Sequence, residues 1–101
     1  MGDKSFHRVQ TEEHKLRGAE YCTSFGERLE YIREEYGLTK SAMAKAVGVS
    51  SSTWGTYEYD SSFPAMNTIS KFCELFNVDM EWLFSGEGDV YTDEDNEDEE
   101  S

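Results

Sequence analysis

Apolar residues recur three or four positions apart between residues 24 and 84, the spacing that places them on one face of a helix. Five such stretches are separated by short breaks that contain glycine, proline or asparagine, residues that commonly interrupt helices. No stretch alternates apolar and polar residues for long enough to predict a strand. The pattern therefore predicts five short helices and an all-α fold.

The predicted helix starts are marked by residues whose side chains accept hydrogen bonds from a helix N-terminus. Such residues precede four of the apolar stretches: Ser24, Thr39, Ser50 and Asp79. Glu27, three residues after Ser24, completes a capping box. Gly37 and Gly48 end the first two helices, because glycine tolerates positive φ. The fourth helix is predicted from an apolar stripe formed by Met66, Ile69, Phe72, Cys73 and Phe76.

The second and third predicted helices are each about two turns long and are joined by Gly48-Val49-Ser50. Isolated helices shorter than about 12–15 residues are marginal in water, so these two must share a core, with Val49 filling the corner between them. Two short helices joined by a glycine-containing turn form a helix-turn-helix, whose second helix can lie in the major groove of DNA. This pair is the most informative feature of the sequence.

The charge is strongly acidic and unevenly distributed. The 101 residues contain 22 acids and 9 bases, a net charge of −13. Residues 1–23 hold four acids and four bases, residues 24–91 hold eleven acids and five bases, and residues 92–101 hold seven acids and no base. We therefore predict an N-terminal arm over residues 1–23 that is disordered or partly helical, a folded domain over 24–91 and a disordered acidic tail over 92–101.

Composition narrows the class of protein. No apolar run approaches the about 20 residues of a membrane span or the ~7–15 of a signal peptide. Cys22 and Cys73 lack the spacing of a metal site, and we expect a cytoplasmic protein with reduced cysteines. His7 and His14 have no acid or cysteine in ligand register, so no metal is expected. Catalytic motifs are also missing from the sequence, so neither enzyme activity nor a cofactor is expected.

Six segments occur in the order and at the spacing of a known family: Phe25-Gly26-Glu27-Arg28-Leu29, Tyr36-Gly37-Leu38-Thr39, Ala44-Lys45-Ala46-Val47-Gly48-Val49-Ser50, Tyr57-Glu58, Phe63-Pro64, and Val78-Asp79-Met80-Glu81-Trp82-Leu83-Phe84-Ser85-Gly86-Glu87-Gly88. Through them, residues 25–88 resemble the Cro/CI (XRE-type) helix-turn-helix family of phage and bacterial transcriptional repressors. The resemblance implies a compact five-helix, lambda-repressor-like helix-turn-helix domain. It also implies a homodimer that binds a double-stranded DNA operator of two half-sites.

The resemblance further implies roles for individual residues. Lys40, at the start of the second helix, matches a position that holds a DNA phosphate, and Lys45 is a second base available for phosphates. The positions that read base edges carry three short hydroxyl side chains: Ser51, Ser52 and Thr56. Arg33 and Glu58 match a buried ion pair that joins the first helix to the third.

The sequence departs from this family where the family binds the DNA backbone. Residues 48–70 contain no lysine or arginine, and Tyr59-Asp60-Ser61-Ser62 replaces a loop that often carries glycine and a basic residue. Besides Lys40 and Lys45, only Arg28 and the bases of the arm remain to neutralise phosphates. Contacts between bases and phosphates normally supply most of the non-specific affinity for DNA.

Two functions of different classes therefore stay open. The first is a sequence-specific DNA-binding transcriptional regulator, a phage or prophage repressor of the Cro/CI type. The second is a protein-binding module that kept the scaffold but lost its DNA face, such as an antirepressor or phage inhibitor that engages a basic partner. The acidic tail, on a flexible tether led by Gly86 and Gly88, is expected either to oppose DNA binding or to serve solubility alone.

Overall fold

The computed structural model describes Phe6 and residues 18–92. A 3₁₀ turn at Ala19–Tyr21 precedes five α-helices: α1 (Phe25–Glu35), α2 (Lys40–Val47), α3 (Ser51–Glu58), α4 (Met66–Phe76) and α5 (Met80–Ser85). Within this described part, the β-pairing is an isolated antiparallel bridge between Val78 and Tyr91. The all-α prediction with five helices is confirmed. Most of the predicted arm and nearly all of the predicted tail lie outside the described residues.

The predicted caps begin four of the helices. Side chains of the four capping residues accept hydrogen bonds from backbone N–H groups two or three positions along the chain: Ser24, Thr39, Ser50 and Asp79. The capping box differs from the standard arrangement, in which the glutamate accepts from the backbone N–H of the capping residue itself. Here the Glu27 carboxylate accepts from the residue before the cap, from the Thr23 backbone N–H at 2.7 Å and from the Thr23 hydroxyl at 2.9 Å. These bonds lower the pKa of the Glu27 carboxyl.

The core lies where all five helices meet. Its largest fully buried side chains are Trp54, Phe72, Phe76, Leu29, Ile32, Met43, Ile69 and Leu83. Of the residues whose apolar stripe predicts α4, Met66 is 56% exposed and the other four are buried. Met66 is the first residue of α4, and the buried stripe begins one turn later at Ile69. Val49 is half-buried and packs against the core, as expected for the corner between α2 and α3.

Residues 86–92, here called the C-terminal strap, fold back along the domain after α5. The Asp79 backbone N–H donates to the Val90 carbonyl at 2.8 Å, and the Thr92 N–H donates to the Asn77 carbonyl at 2.9 Å. Val90 and Tyr91 pack against the core, and the Tyr91 hydroxyl donates to a Glu35 carboxylate oxygen at 2.5 Å. The expectation of a flexible tether led by Gly86 is therefore wrong, because burial and backbone pairing fix the chain as far as Thr92.

Arg28 is a buried base that joins α1 to α5. Its Nε donates to the Leu83 carbonyl at 2.7 Å, and its Nη2 donates to the Phe84 carbonyl at 3.2 Å. These carbonyls lie at the C-terminal end of α5, where a positive charge is favourable. The side chain is committed to this contact and only 7% of the residue is exposed. The prediction that Arg28 is available to DNA phosphates is therefore wrong.

We expect Arg28→Met to lower the free energy of unfolding by about 2 kcal/mol, because it leaves the Leu83 and Phe84 carbonyls without their donor. Urea denaturation followed by circular dichroism measures this change. Lys45→Met, at an exposed position, is the matched control and should shift the free energy by less than about 0.5 kcal/mol. Equal stabilities of the two variants would contradict the structural role of Arg28.

Candidate nucleic-acid interface

The turn between α2 and α3 fixes the orientation of α3. Gly48 adopts the left-handed conformation, with φ of 86° and ψ of 29°, and so ends α2 where a side chain would be strained. The Val49 N–H donates to the Ala44 carbonyl at 2.9 Å, which ties the turn to α2. The Ser50 side chain then caps α3 by accepting from the Thr53 N–H at 3.1 Å. Two short helices are thereby held at a defined angle, as a helix-turn-helix requires.

One face of α3 is buried and the other carries hydroxyl groups. Trp54, Tyr57 and Glu58 face the core, whereas Ser51 and Ser52 at the start of the helix are exposed. Among the described residues, the Ser51 hydroxyl makes no hydrogen bond, and that of Ser52 lies 3.4 Å from the Ser50 hydroxyl. Both hydroxyls are therefore accessible to a ligand that approaches the start of α3.

Thr56 is arranged differently from the two serines. Its hydroxyl donates to the Thr53 carbonyl at 2.7 Å and lies 2.6 Å from the Ser62 hydroxyl. The Thr56 carbonyl in turn accepts from the Ser61 backbone N–H at 2.9 Å. Thr56 therefore braces the loop after α3, and its hydroxyl is engaged within the protein.

Two lysines lie on α2. Lys40 is the first residue of the helix and Lys45 lies in its last turn, and both are exposed. The Lys40 ammonium lies 5.4 Å from the centre of the Tyr59 ring, a cation–π distance. The start of α2 and the end of α3 therefore present a base and an exposed aromatic side by side.

Arg33 of α1 and Glu58 of α3, expected to pair, are in contact. The Arg33 Nε donates to Glu58 Oε2 at 2.7 Å, and the Trp54 indole N–H donates to the same oxygen at 2.5 Å. The second Glu58 oxygen accepts from Arg33 Nη2 at 3.3 Å, and Arg33 Nη1 donates to the Leu38 carbonyl at 2.9 Å. The side chains of Arg33 and Glu58 are only 13% and 5% exposed. This buried network fixes α3 against α1.

Residues 26–89 match the family described as a helix-turn-helix domain. The chain belongs to this helix-turn-helix family. It is 31% identical over 62 residues to the SPbeta prophage-derived uncharacterized HTH-type transcriptional regulator YonR of Bacillus subtilis, covering 61% of this chain and 57% of YonR. It is 32% identical over 60 residues to the HTH-type transcriptional regulator PuuR of Escherichia coli, covering 59% of this chain and 32% of PuuR. The chain thus covers about a third of the length of PuuR and somewhat over half of the length of YonR.

The fold of this helix-turn-helix protein is similar to that of a solved repressor. The P22 c2 repressor, crystallised in complex with a synthetic operator, superposes with a TM-score of 0.61 and 22% sequence identity. The similarity covers 64% of this chain and 98% of the repressor chain. It confirms the predicted architecture.

Two residues of the helix-turn-helix domain have structural roles that the sequence analysis missed. Asp60 has a positive φ of 62°, and its carboxylate accepts from the Ser24 hydroxyl at 2.6 Å and from the Gly26 backbone N–H at 2.8 Å. It therefore supplies a second cap to α1 from the loop after α3. Gly26 also lies directly against the backbone carbonyls of Tyr57 and Glu58. The family-like segment Phe25-Gly26-Glu27 could have indicated that Gly26 has a structural role. The capping by Asp60 could not be read from the sequence, because it depends on tertiary structure.

An acidic cleft of about 340 Å³ lies beside Lys40 in this domain. It is lined by Glu27, Glu30, Lys40, Glu58, Tyr59 and Asp60. Of its carboxylates, those of Glu27, Glu58 and Asp60 are held by the hydrogen bonds described above. Within the described residues there is no group of three or more His, Cys, Asp or Glu side chains placed to hold a metal ion. No described helix is long and apolar enough to cross a membrane.

Proposed function

We propose that this helix-turn-helix protein is a sequence-specific DNA-binding transcriptional regulator of the phage or prophage repressor type. In this proposal it acts in the bacterial cytoplasm as a homodimer on an operator of two half-sites. The observation that supports it most directly is the rigidly oriented α3, whose exposed start carries hydroxyl groups that can donate to or accept from base edges. The names of the relatives YonR and PuuR and the operator complex of the P22 repressor agree with this function.

The proposed roles follow the exposure of each side chain. Ser51 and Ser52 read base edges from the start of α3, and Lys40 and Lys45 bind phosphates. Thr56 contributes by bracing the loop after α3, because its hydroxyl is already bonded. With Arg28 buried, few phosphates are neutralised, so we expect weak non-specific binding and a shallow dependence of affinity on salt.

Fluorescence anisotropy against DNA from the region flanking the gene tests this function. We expect Ser52→Ala to change the preferred bases, at about 1–3 kcal/mol for a lost base contact. Lys40→Ala should instead weaken binding to all sequences about equally and reduce the slope of log affinity against log salt by about 0.9.

Lys71→Ala is the control for the loss of one positive charge, because Lys71 is an exposed lysine on α4. It should leave the salt slope unchanged. If Lys40→Ala and Lys71→Ala have equal effects, the start of α2 does not meet the DNA backbone. If no sequence from the flanking region binds at low salt, the DNA function is wrong.

A second function is favoured by the acidic cleft. Its carboxylates other than that of Glu58, which is already paired with Arg33, suit a lysine or arginine side chain of a basic protein, and they oppose the approach of a phosphate to Lys40. In this alternative the chain is an antirepressor or inhibitor built on the helix-turn-helix scaffold. Glu30→Lys separates the two functions, because it should weaken binding of an arginine-rich peptide but strengthen binding of DNA.

A further inference from the structure

The C-terminal strap ends at a defined place on the domain, and residues 93–101, here called the acidic segment, begin there. The Thr92 backbone N–H donates to the Asn77 carbonyl at 2.9 Å, and the Tyr91 hydroxyl donates to the Glu35 carboxylate at 2.5 Å. Asn77 directly follows α4, and Glu35 is the last residue of α1. The strap therefore fixes the starting point of the acidic segment beside the C-terminal ends of α1 and α4.

The start of α2 is close to this starting point. Lys40 follows Glu35 by five residues, so their Cα atoms are at most about 19 Å apart. The loop between them is not extended, because the Leu38 backbone N–H donates back to the Arg33 carbonyl at 3.1 Å. The nine residues of the acidic segment span up to about 30 Å, so they are long enough to reach Lys40.

Charge complementarity favours a contact between the acidic segment and α2. The segment carries seven carboxylates and no base, and Glu35 repels it at its starting point. The described part of the chain has three exposed bases, of which Lys40 and Lys45 lie on α2 and Lys71 lies on α4. Helix α2 therefore presents two of the three positive charges that are available to the segment.

The acidic cleft beside Lys40 does not favour DNA over the acidic segment. Its carboxylates repel a phosphate backbone and the segment alike, so repulsion does not decide between the two. The difference lies in the covalent connection, because a segment joined to the same domain by a short chain has an effective concentration in the millimolar range. The segment therefore occupies the lysines of α2 ahead of DNA that is present at micromolar concentration.

We propose that the acidic segment lies against Lys40 and Lys45 of α2 and competes with DNA phosphates for them, with the C-terminal strap as the anchor that holds it there. The contact is autoinhibitory, since the same two lysines are the proposed phosphate ligands. The attraction is electrostatic, so it weakens as salt is raised. The contact itself needs no DNA, and only the inhibition rests on the proposed function.

Zero-length cross-linking of the full chain without DNA tests the contact. A carbodiimide activates a carboxylate, and a lysine amine then attacks it to form an amide, while the carbodiimide takes up the lost water and leaves as a urea. Mass spectrometry should find amides between the acidic segment and Lys40 or Lys45. The matched control has about 30 glycine and serine residues inserted after Thr92, which keeps every charge. Its yield of these amides should fall by about tenfold, because effective concentration falls steeply with the length of a flexible tether.

Fluorescence anisotropy with DNA from the region flanking the gene tests the inhibition. A full-length variant with asparagine or glutamine at the seven acidic positions of the acidic segment should bind about tenfold more tightly at about 0.05 M salt, because seven weak repulsions of phosphates are removed together. At about 0.5 M salt the gain should be less than about twofold, because the Debye length falls from about 14 Å to about 4 Å. The linker variant should also bind more tightly at low salt, although its net charge is unchanged.

The proposal is overturned if no amide to Lys40 or Lys45 forms, or if the linker variant yields as many of them as the original chain. It is also overturned if the amide variant gains no affinity, or if only that variant gains it, since net charge alone would then be responsible. A chain that cross-links as expected but binds no DNA in any variant would refute the DNA function and the inhibition, whereas the contact would stand. Thermal melts check that all variants are folded.

Discussion

Replacing Glu58 with glutamine is expected to lower the free energy of unfolding by about 3–5 kcal/mol, the cost of leaving one member of a buried ion pair without its partner. The Arg33 guanidinium would lose its carboxylate counter-charge and the hydrogen bond from its Nη2, because the amide NH₂ takes the place of Oε1, while it remains only 13% exposed. The glutamine amide can still accept from the Trp54 indole, so the loss reports the charge rather than the shape of the side chain. Chemical denaturation of the two proteins measures the difference.

Glu30→Gln is the matched control for Glu58→Gln. The Glu30 carboxylate lies 3.9 Å from Arg33, but its side chain is 38% exposed, and such pairs contribute about 0–1 kcal/mol. Both variants remove one negative charge beside the same arginine, so a general change in net charge affects them alike. If Glu58→Gln were no less stable than Glu30→Gln, the buried network would not be what holds α3 against α1.

The second large effect is expected from Gly26→Ala. An added Cβ would lie 2.6 Å from the Tyr57 carbonyl oxygen and nearer still to the Glu58 carbonyl oxygen, and neither backbone group can rotate away as a side chain can. Helices α1 and α3 must then separate, so we expect a loss of about 3 kcal/mol, near the upper end of the usual cost of overpacking. The shift also strains the bond between the Gly26 N–H and Asp60.

Gly55→Ala is the control for the helix propensity of alanine. Gly55 lies inside α3 with no atom within 4 Å of an added Cβ, so the substitution should stabilise the domain by about 1 kcal/mol. The two glycine variants are thus expected to move the melting temperature in opposite directions. A rise for both would show that α1 and α3 are not in the close contact described.

Local sequence signals predicted the helices because helix ends depend on short-range chemistry. Ser24, Thr39, Ser50 and Asp79 act on backbone groups two or three residues away, so their effect is visible in the sequence. The apolar stripe that predicts α4 includes the exposed Met66, since periodicity does not reveal where along a helix burial begins.

The errors about the candidate site concern contacts between distant parts of the chain. Arg28 was assigned to phosphates because nothing near it in sequence shows that its partners are 55 and 56 residues away. The strap was treated as a tether for the same reason, because Val90 and Asp79 meet only after α5 has turned the chain. The role of Thr56 at base edges stays a prediction, and what the sequence did not indicate is that its hydroxyl lies against Ser62 of the following loop.

The hydrogen bonds between Asp60 and the start of α1 impose a stability cost on any change that makes the loop after α3 basic. Changing Asp60 to lysine would exchange a negative charge for a positive one in the loop that follows α3. The same change would remove two hydrogen bonds from α1 and place a long side chain at a positive φ, which costs stability. Affinity and stability therefore oppose each other at this position, and a mutational path toward a basic loop must first supply another cap for α1.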